Sequence, residues 1–247
     1  MKPKLLLSVF LFFLSCKMIV AQNNPAALTI THLTDNFYIY VTYQPIEGEP
    51  YPANAMYLVT DKGVVLFDTP WDSTQFQPLL DSIENRHHKK VILCISTHFH
   101  ADRTAGLEYY KHQNIKTYTS KQTFDLCAAN QEKQSEFYFT KDTVFTVGNY
   151  TFQTYFPGAG HSPDNIVVWL PKNSILYGGC FIKSTEAETL GNLSDANPSE
   201  WMKSIKKVRK LLPNVQYVIP GHLDWNNNKS LNHTQKLLMK YRLANER

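Results

Sequence analysis

Two histidines and an aspartate follow one another at a spacing of two in the segment VILCISTHFHADRTAG, which covers residues 91–106. His98, His100 and Asp102 come directly after an apolar run that is typical of a buried strand. In an extended or tightly turned segment, residues two apart lie on one side, so these three side chains can converge on one point. Imidazole and carboxylate groups bind zinc, and the spacing therefore predicts part of a metal site.

Three further side chains that can bind a metal occupy similar positions in the chain. His161 follows the glycine turn of PGAGHSPDN, Cys180 ends the predicted strand SILYGGC, and His222 ends the predicted strand VQYVIPGH. The ends of strands are where α/β proteins gather functional groups. Together the six side chains provide four imidazoles, a carboxylate and a thiolate, which suit two neighbouring tetrahedral zinc sites that each keep an open position.

The other histidines and cysteines have simpler interpretations. Five histidines lie in polar surroundings and are expected to face solvent or to make structural hydrogen bonds: His32, His87, His88, His112 and His233. Cys94 lies in an apolar run and Cys127 in the predicted helical segment TFDLCAAN, so both are expected to be small buried apolar residues. Only three cysteines follow residue 21, and an odd number does not indicate a disulfide framework.

The order of predicted elements indicates the fold class. The 247 residues, 43% of them hydrophobic, are enough for one enzyme-sized domain. Short strands and helices alternate without an internal repeat, which predicts an α/β protein whose sheets pack together with helices outside. Helix starts are indicated by Asp72 or Ser73 before TQFQPLLDSIENRH, and by Asn197 with Glu200 as a capping box before SEWMKSIKKVRKLL. A last helix is predicted from Ser230 to about residue 245.

The amino-terminal residues predict export. Residues 1–21 combine Lys2 and Lys4, an apolar stretch and a small residue at Ala21, as a cleavable signal peptide does. Cys16 leaves a lipoprotein as the alternative. Residues 22–247 are then a single catalytic domain with 22 basic and 21 acidic residues, a balance that gives no reason to expect nucleic acid or an anionic membrane as partner. No stable membrane anchor is expected. The basic segment SIKKVRKLL is interpreted as the solvated face of a helix.

The segments THFHAD, GAGHSPDN, GGCFIKS, GN and PGH, in this order, resemble the class B metallo-β-lactamases of the first subclass, which has two zincs and a cysteine ligand. The likeness covers the chain from about Leu28 to the last helix and is greatest to chromosomal carbapenemases of Bacteroidota-type bacteria. The resemblance implies an αββα sandwich, in which two mixed β-sheets pack face to face with helices outside. It also implies a dizinc site along one edge of the sandwich.

The resemblance also assigns roles to residues. It implies that His98, His100 and His161 hold the first Zn²⁺, and that Asp102, Cys180 and His222 hold the second. Lys183 matches the lysine that binds the substrate carboxylate, and Asn192 matches the asparagine beside the lactam carbonyl. Under this assignment a zinc-bound hydroxide is the nucleophile, Asp102 orients it, and Asn192 stabilises the oxyanion.

The activity that follows is hydrolysis of penicillins, cephalosporins and carbapenems by a periplasmic monomer, which confers antibiotic resistance. The partners expected are small-molecule β-lactams alone. Two segments are expected to shape the pocket: the hairpin VTYQPIEGEPYPANAMY, with Gly48 at its tip, could fold over substrate, and Trp71 could form an apolar wall.

Three other functions are compatible with parts of the sequence. Related hydrolases of thioesters or lactones resemble H-x-H-x-D-H, whereas here Arg103 follows Asp102 and Cys180 replaces a later bridging aspartate. A non-catalytic zinc-binding protein would need closed coordination shells, whereas three protein ligands for each zinc leave a position open. A serine β-lactamase is disfavoured because the S-x-x-K match at Ser204 lacks its partner motifs.

Overall fold

The structure is a computed structural model that describes residues 27–212 and 214–245. The predicted signal peptide and Cys16 lie outside these residues. The described strands are β1 Thr29–Thr34, β2 Phe37–Ile46, β3 Glu49–Val59, β4 Val64–Phe67, β5 Val91–Ile95, β6 Lys116–Ser120, β7 Phe137–Phe139, β8 Val144–Val147, β9 Tyr150–Tyr155, β10 Val167–Leu170, β11 Ile175–Gly179 and β12 Tyr217–Pro220. The described α-helices are α1 Phe76–His87, α2 Ala101–Thr104, α3 Leu107–His112, α4 Lys121–Ala129, α5 Pro198–Leu211 and α6 Ser230–Asn245.

The strands form two mixed sheets. The first sheet has the order β1 to β7, antiparallel as far as β4 and parallel from β4 onward. The second has the order β12-β11-β10-β9-β8, and only β11 and β12 pair in parallel. Parallel neighbours direct their carboxyl ends to the same edge, where α/β proteins place ligands. The loops after β5, β11 and β12 can therefore hold one site.

The main apolar core lies between the two sheets. Phe37 and Ile39 on β2 and Val168 and Leu170 on β10 are almost fully buried in one cluster. Each pair is two residues apart, and because side chains alternate along a strand, both members point to the same face of their sheet. The two sheets are therefore held together by the apolar members of an alternating pattern.

Helices cover the outer face of each sheet. Leu79 and Ile83 of α1 pack on the first sheet, whereas Trp201 and Ile205 of α5 and Leu238 of α6 pack on the second. The layers therefore follow the order αββα, and the predicted fold class is confirmed. Within the described residues, the structure has no helix long and apolar enough to cross a bilayer.

Local sequence signals place most of the elements. Asn197 Oδ1 accepts a hydrogen bond from the Glu200 amide at 3.1 Å, as the capping box predicts. Asp72 Oδ1 accepts from the Thr74 amide at 2.8 Å, at the start of a short 3-10 turn that precedes α1. Sequence patterns did not indicate α2, α3 or β7, which have four, six and three residues. Such short elements have too few residues to show a period.

Candidate metal centre

The six predicted ligands lie on loops at the carboxyl ends of strands. His98 and His100 follow β5, Asp102 lies in the first turn of α2, and His161 lies between β9 and β10. Cys180 directly follows β11, and His222 follows β12. The structure therefore brings together, at one edge of the sandwich, residues that are up to 124 positions apart in the sequence.

The first group contains three imidazoles. His98 Nε2 lies 3.1 Å from His100 Nδ1, which in turn lies 3.1 Å from His161 Nε2. Burial lowers the pKa of both His98 and His161 well below the usual value. These two rings are therefore neutral, which is the form of histidine that binds a metal.

The second group contains a carboxylate, a thiol and an imidazole. Cys180 Sγ lies 3.1 Å from Asp102 Oδ2 and 3.2 Å from His222 Nε2. His222 Nε2 and Asp102 Oδ2 are also 3.2 Å apart. The two groups are neighbours, because Asp102 Oδ1 lies 3.9 Å from His98 Nε2.

A glycine lets the ends of β11 and β12 approach each other. A Cβ atom at Gly221 would lie 2.6 Å from the Cys180 amide nitrogen and 2.8 Å from its Sγ. Neither contact is sterically allowed. Only glycine therefore permits His222, the next residue, to reach Cys180.

Both groups fit zinc. Ligand atoms about 2.0–2.3 Å from a tetrahedral zinc are separated by roughly 3.3–3.8 Å, close to the spacings within each group. Nitrogen, sulfur and carboxylate oxygen are the donors that zinc accepts, whereas thiolate disfavours magnesium and calcium. Three protein ligands in each group leave room for a water or a substrate atom.

Hydrogen bonds fix the orientation of two of the imidazoles. His222 Nδ1 donates to the Pro52 carbonyl oxygen at 2.8 Å, and His100 Nε2 donates to Asp195 Oδ2 at 3.1 Å. Because each partner can only accept, the proton lies on the outer nitrogen of each ring. The other nitrogen therefore presents its lone pair to the centre, as in carboxylate–histidine–zinc arrangements.

Arg103 is the buried cation beside the second group. Its Nε donates to Asp102 Oδ2 at 2.9 Å, and its Nη1 and Nη2 donate to the Asn54 and Gly221 carbonyl oxygens, each at 2.7 Å. Asp68 Oδ2 lies 3.5 Å from Nη1. One fully buried guanidinium therefore contacts two buried carboxylates and connects β3 with the segments that follow β4 and β12.

Arg103 also sets the charge state of the second group. Burial alone would raise the pKa of Asp102, but the Arg103 guanidinium and the hydrogen bond with His222 bring it well below the usual value. Burial raises the pKa of the Cys180 thiol, and Arg103 opposes that rise. Metal binding would therefore displace the thiol proton, as it does at other cysteine sites.

Comparisons with known proteins agree with this geometry. The sequence profile described as the metallo-beta-lactamase superfamily matches residues 48–222. This chain belongs to the metallo-β-lactamase superfamily.

Individual relatives cover most of the chain. It is 45% identical over 212 residues to a type 2 metallo-beta-lactamase of Elizabethkingia meningoseptica, covering 86% of this chain and 85% of the relative. It is 38% identical to metallo-beta-lactamase IND-1 of Chryseobacterium indologenes, over 84% of this chain and 87% of the relative. A solved metallo-beta-lactamase from Pontibacter korlensis superposes with a TM-score of 0.83 at 34% identity, over 86% of this chain and 99% of that one. The predicted family and enzyme class are confirmed, and zinc is the metal of this family.

Lys183 lies at the edge of this metallo-β-lactamase centre. Its Nζ lies 5.5 Å from the centroid of the Trp201 ring, which is itself 5.9 Å from the ring of His161. Burial lowers the pKa of the Lys183 ammonium group, and the nearby Cys180 opposes this change. Lys183, His222 and Tyr51 line the same cleft of about 160 Å³.

Asn192 lies on the exposed loop before α5. Its Oδ1 accepts a hydrogen bond from the Ser194 amide at 2.9 Å. The side-chain amide nitrogen is then the group available to a ligand. The loop passes close to Lys183, because a Cβ atom at the neighbouring Gly191 would lie 3.6 Å from Lys183 Nζ.

Two aromatic rings flank His222. The ring centroids of Tyr51 and Trp71 lie 5.1 and 6.2 Å from that of His222. Tyr51 belongs to the β2–β3 hairpin, which turns at Glu47 and Gly48 with φ angles of 53° and 87°. The sequence prediction placed Trp71 near the pocket but did not single out Tyr51.

The remaining histidines and cysteines lie away from the centre. His32, His87 and His233 hydrogen bond to the Asp35 carbonyl, the Tyr57 hydroxyl and the Ala187 carbonyl at 2.8, 2.9 and 2.7 Å. Cys94 and Cys127 are buried and unbridged, as predicted. Sequence reasoning missed Asp195 as the partner of His100, because 95 residues separate the two in the chain.

Proposed function

We propose that this enzyme hydrolyses the β-lactam ring of penicillins, cephalosporins and carbapenems with two zinc ions. Metal-dependent β-lactam hydrolysis is the activity that the names of its relatives describe. The observation that carries the proposal is the pair of adjacent three-donor groups, each with spacings of 3.1–3.2 Å between neighbouring donor atoms.

The two groups divide the metal ligands. His98, His100 and His161 would hold the first zinc, and Asp102, Cys180 and His222 the second. When bound, zinc makes water available as a nucleophile near neutral pH and polarises a carbonyl. The chain therefore needs no nucleophilic side chain of its own.

Asp102 connects the two groups and would orient the attacking water. Its Oδ2 is held by Arg103 at 2.9 Å, while its Oδ1 faces His98 at 3.9 Å. A carboxylate between the two groups can accept a hydrogen bond from water and so direct the oxygen lone pair towards the substrate. Arg103 keeps this carboxylate ionised and fixed.

Lys183 and Asn192 would bind the substrate. The Lys183 ammonium lies in a cleft beside the second group, where it can pair with the carboxylate common to bicyclic β-lactams. The Asn192 amide nitrogen can donate to the lactam carbonyl oxygen as negative charge develops there. Tyr51 and Trp71 would add apolar contacts that tolerate varied substituents on the antibiotic.

The competing function is hydrolysis of thioesters or lactones by a related enzyme. Arg103 opposes it, because it directly follows Asp102 in the sequence, where those enzymes have a further histidine. The test is to measure turnover of a penicillin, a carbapenem, a thioester and a lactone in parallel by the zinc-loaded protein. We expect β-lactams to be hydrolysed and the other two to be poor substrates. Faster turnover of the thioester or the lactone would contradict the proposed β-lactamase function.

The proposed location is the periplasm, where β-lactams meet their targets. Residues 1–21 would be removed on export, and residues 22–247 would act as a single-domain monomer without a stable membrane anchor. Intact-mass measurement of the exported protein tests this directly: an amino terminus at Gln22 supports it, whereas lipid on Cys16 would contradict it.

A further inference from the structure

Charge is unevenly distributed along the chain. Residues 27–197 contain 12 Lys and Arg against 18 Asp and Glu, whereas residues 198–245 contain 9 against 2. The second segment consists mainly of α5 and α6. The net charge of the catalytic domain is therefore near zero only as an average. Residues 198–245 form a basic layer, and residues 27–197 are acidic overall.

The lysines of this layer lie on the outer side of each helix. Those of α5 follow the spacing i, i+3, i+4, i+7, which puts side chains on one stripe of a helix: Lys203, Lys206, Lys207 and Lys210. All four are exposed, and the opposite side of α5 is buried against the second sheet through Trp201, Ser204, Ile205 and Val208. Lys203 forms an ion pair with Glu200 at 2.6 Å.

The outer stripe of α6 alternates lysine with apolar residues. It has the same spacing and contains Lys236, Met239, Lys240 and Leu243. Met239 is 47% exposed and Leu243 is 61% exposed, so both apolar side chains are available for contact between the lysines. The two helices pack side by side on the same sheet, so both stripes face the same way. We call these eight side chains the basic face.

A groove between the two helices opens beside the basic face. It has a volume of about 470 Å³. Its apolar lining comes from Met202, Leu238 and Tyr241, and basic side chains including Lys206 stand along its sides. An amphiphile with an anionic head would find both an apolar contact and a counter-charge there.

We propose that the basic face is a docking surface for an anionic phospholipid bilayer. The six lysines carry the charge opposite to that of phosphate headgroups, so an anionic membrane surface attracts them. Met239 and Leu243 can enter the boundary between headgroups and acyl chains, as apolar residues of interfacial helices do. Exposed apolar side chains between the lysines favour a bilayer over nucleic acid, whose phosphates offer them no apolar contact.

Docking in this orientation would leave the metal centre open. The ligands lie on loops at the edge of the sandwich, whereas the basic face covers the outside of α5 and α6. The interaction would be reversible and would need no lipid anchor. It would hold the enzyme at a membrane surface with its substrate cleft accessible.

Co-sedimentation of the zinc-loaded protein with vesicles tests the proposal. Vesicles of phosphatidylcholine and phosphatidylglycerol in equal parts should bind it at low ionic strength, and pure phosphatidylcholine vesicles should not. The triple variant Lys206→Glu, Lys210→Glu, Lys240→Glu should lower the partition coefficient about tenfold or more and flatten its salt dependence. The matched control is Lys90→Glu, Lys111→Glu, Lys116→Glu, which makes the same change in net charge at exposed positions on or beside the first sheet. It should change the partition coefficient about twofold at most.

A second variant separates a bilayer from other polyanions. Met239→Ser with Leu243→Ser should weaken vesicle binding at all ionic strengths without altering the salt slope. The proposal is overturned if the parent protein does not bind anionic vesicles, or if both triple variants lower the partition coefficient equally. It is overturned as well if the protein sediments without vesicles. It is also overturned if duplex DNA is bound more tightly than vesicles and the double Ser variant leaves both interactions unchanged.

Discussion

Arg103 donates from Nε to Asp102 Oδ2 over 2.9 Å, although neither side chain is more than 7% exposed. The same guanidinium lies 3.5 Å from Asp68 Oδ2, which is fully buried as well. A buried ion pair of this kind is costly to break from one side, because the partner charge stays in the interior.

Arg103→Met should therefore lower the free energy of unfolding by about 3–5 kcal/mol, since it leaves two buried carboxylates without their cation. Urea unfolding of the zinc-free protein measures this without a contribution from metal binding. Arg86→Met, at an exposed position on α1, is the matched control and should change stability by about 0.5 kcal/mol or less. If the two variants are equally stable, Arg103 does not stabilise the fold as proposed.

Most of the strands, the long helices and the six side chains that the fold brings together at one edge of the sandwich could be predicted from the sequence. Alternating apolar residues and capping residues are local signals, and His98, His100 and Asp102 are close together in the chain. His161, Cys180 and His222 were found because each follows a strand or a glycine turn. Family resemblance then supplied their grouping, which no local signal contains.

Contacts between distant segments could not be predicted in this way. The Asp195 carboxylate meets His100, and Pro52 meets His222, only because the fold brings separate loops to one edge. The basic face was missed for a related reason: the segment SIKKVRKLL was recognised as basic, but α6 lies beside it only in the folded chain. Average charge carries no information about such an arrangement.

Cys180→Ser should keep the fold but lower the zinc content from two ions per chain towards one, because a hydroxyl is a far poorer zinc ligand than a thiolate. Metal analysis of the purified protein after dialysis measures the ratio. Cys94→Ser makes the same chemical change at a buried thiol away from the centre and should retain both ions. Two tightly held zinc ions in Cys180→Ser would exclude Cys180 as a ligand.

Asp195→Ala should weaken zinc binding by the three-histidine group about 10- to 100-fold, because His100 would lose the acceptor that orients its ring. Competition with a chelating dye, in the Cys180→Ser background, isolates this group from the second one. Asp195→Asn keeps an acceptor oxygen and should fall between Asp195→Ala and the parent. Asp125→Ala, which removes an exposed carboxylate of α4, should have no effect. Unaltered affinity in Asp195→Ala would show that Asp195 does not position His100.

Lys183→Glu should mainly raise KM for penicillins and carbapenems, because repulsion replaces attraction for their carboxylate. Lys183→Arg should be milder, and Lys172→Glu, at an exposed position away from the centre, should match the parent. A substrate whose carboxylate is methylated should show little difference between Lys183→Glu and the parent. If KM is unchanged for the free carboxylate, Lys183 does not bind it.

The most direct test of catalysis by zinc is imipenem turnover by the Ser204→Ala protein, followed together with its intact mass. Ser204 is the residue that a serine mechanism would acylate, but here it is buried on α5 and donates to the Ala159 carbonyl at 2.9 Å. We expect turnover equal to that of the parent, no covalent adduct during the reaction, loss of activity with EDTA and recovery with added zinc. A stable acyl-enzyme, or turnover that survives complete removal of zinc, would contradict the proposed function.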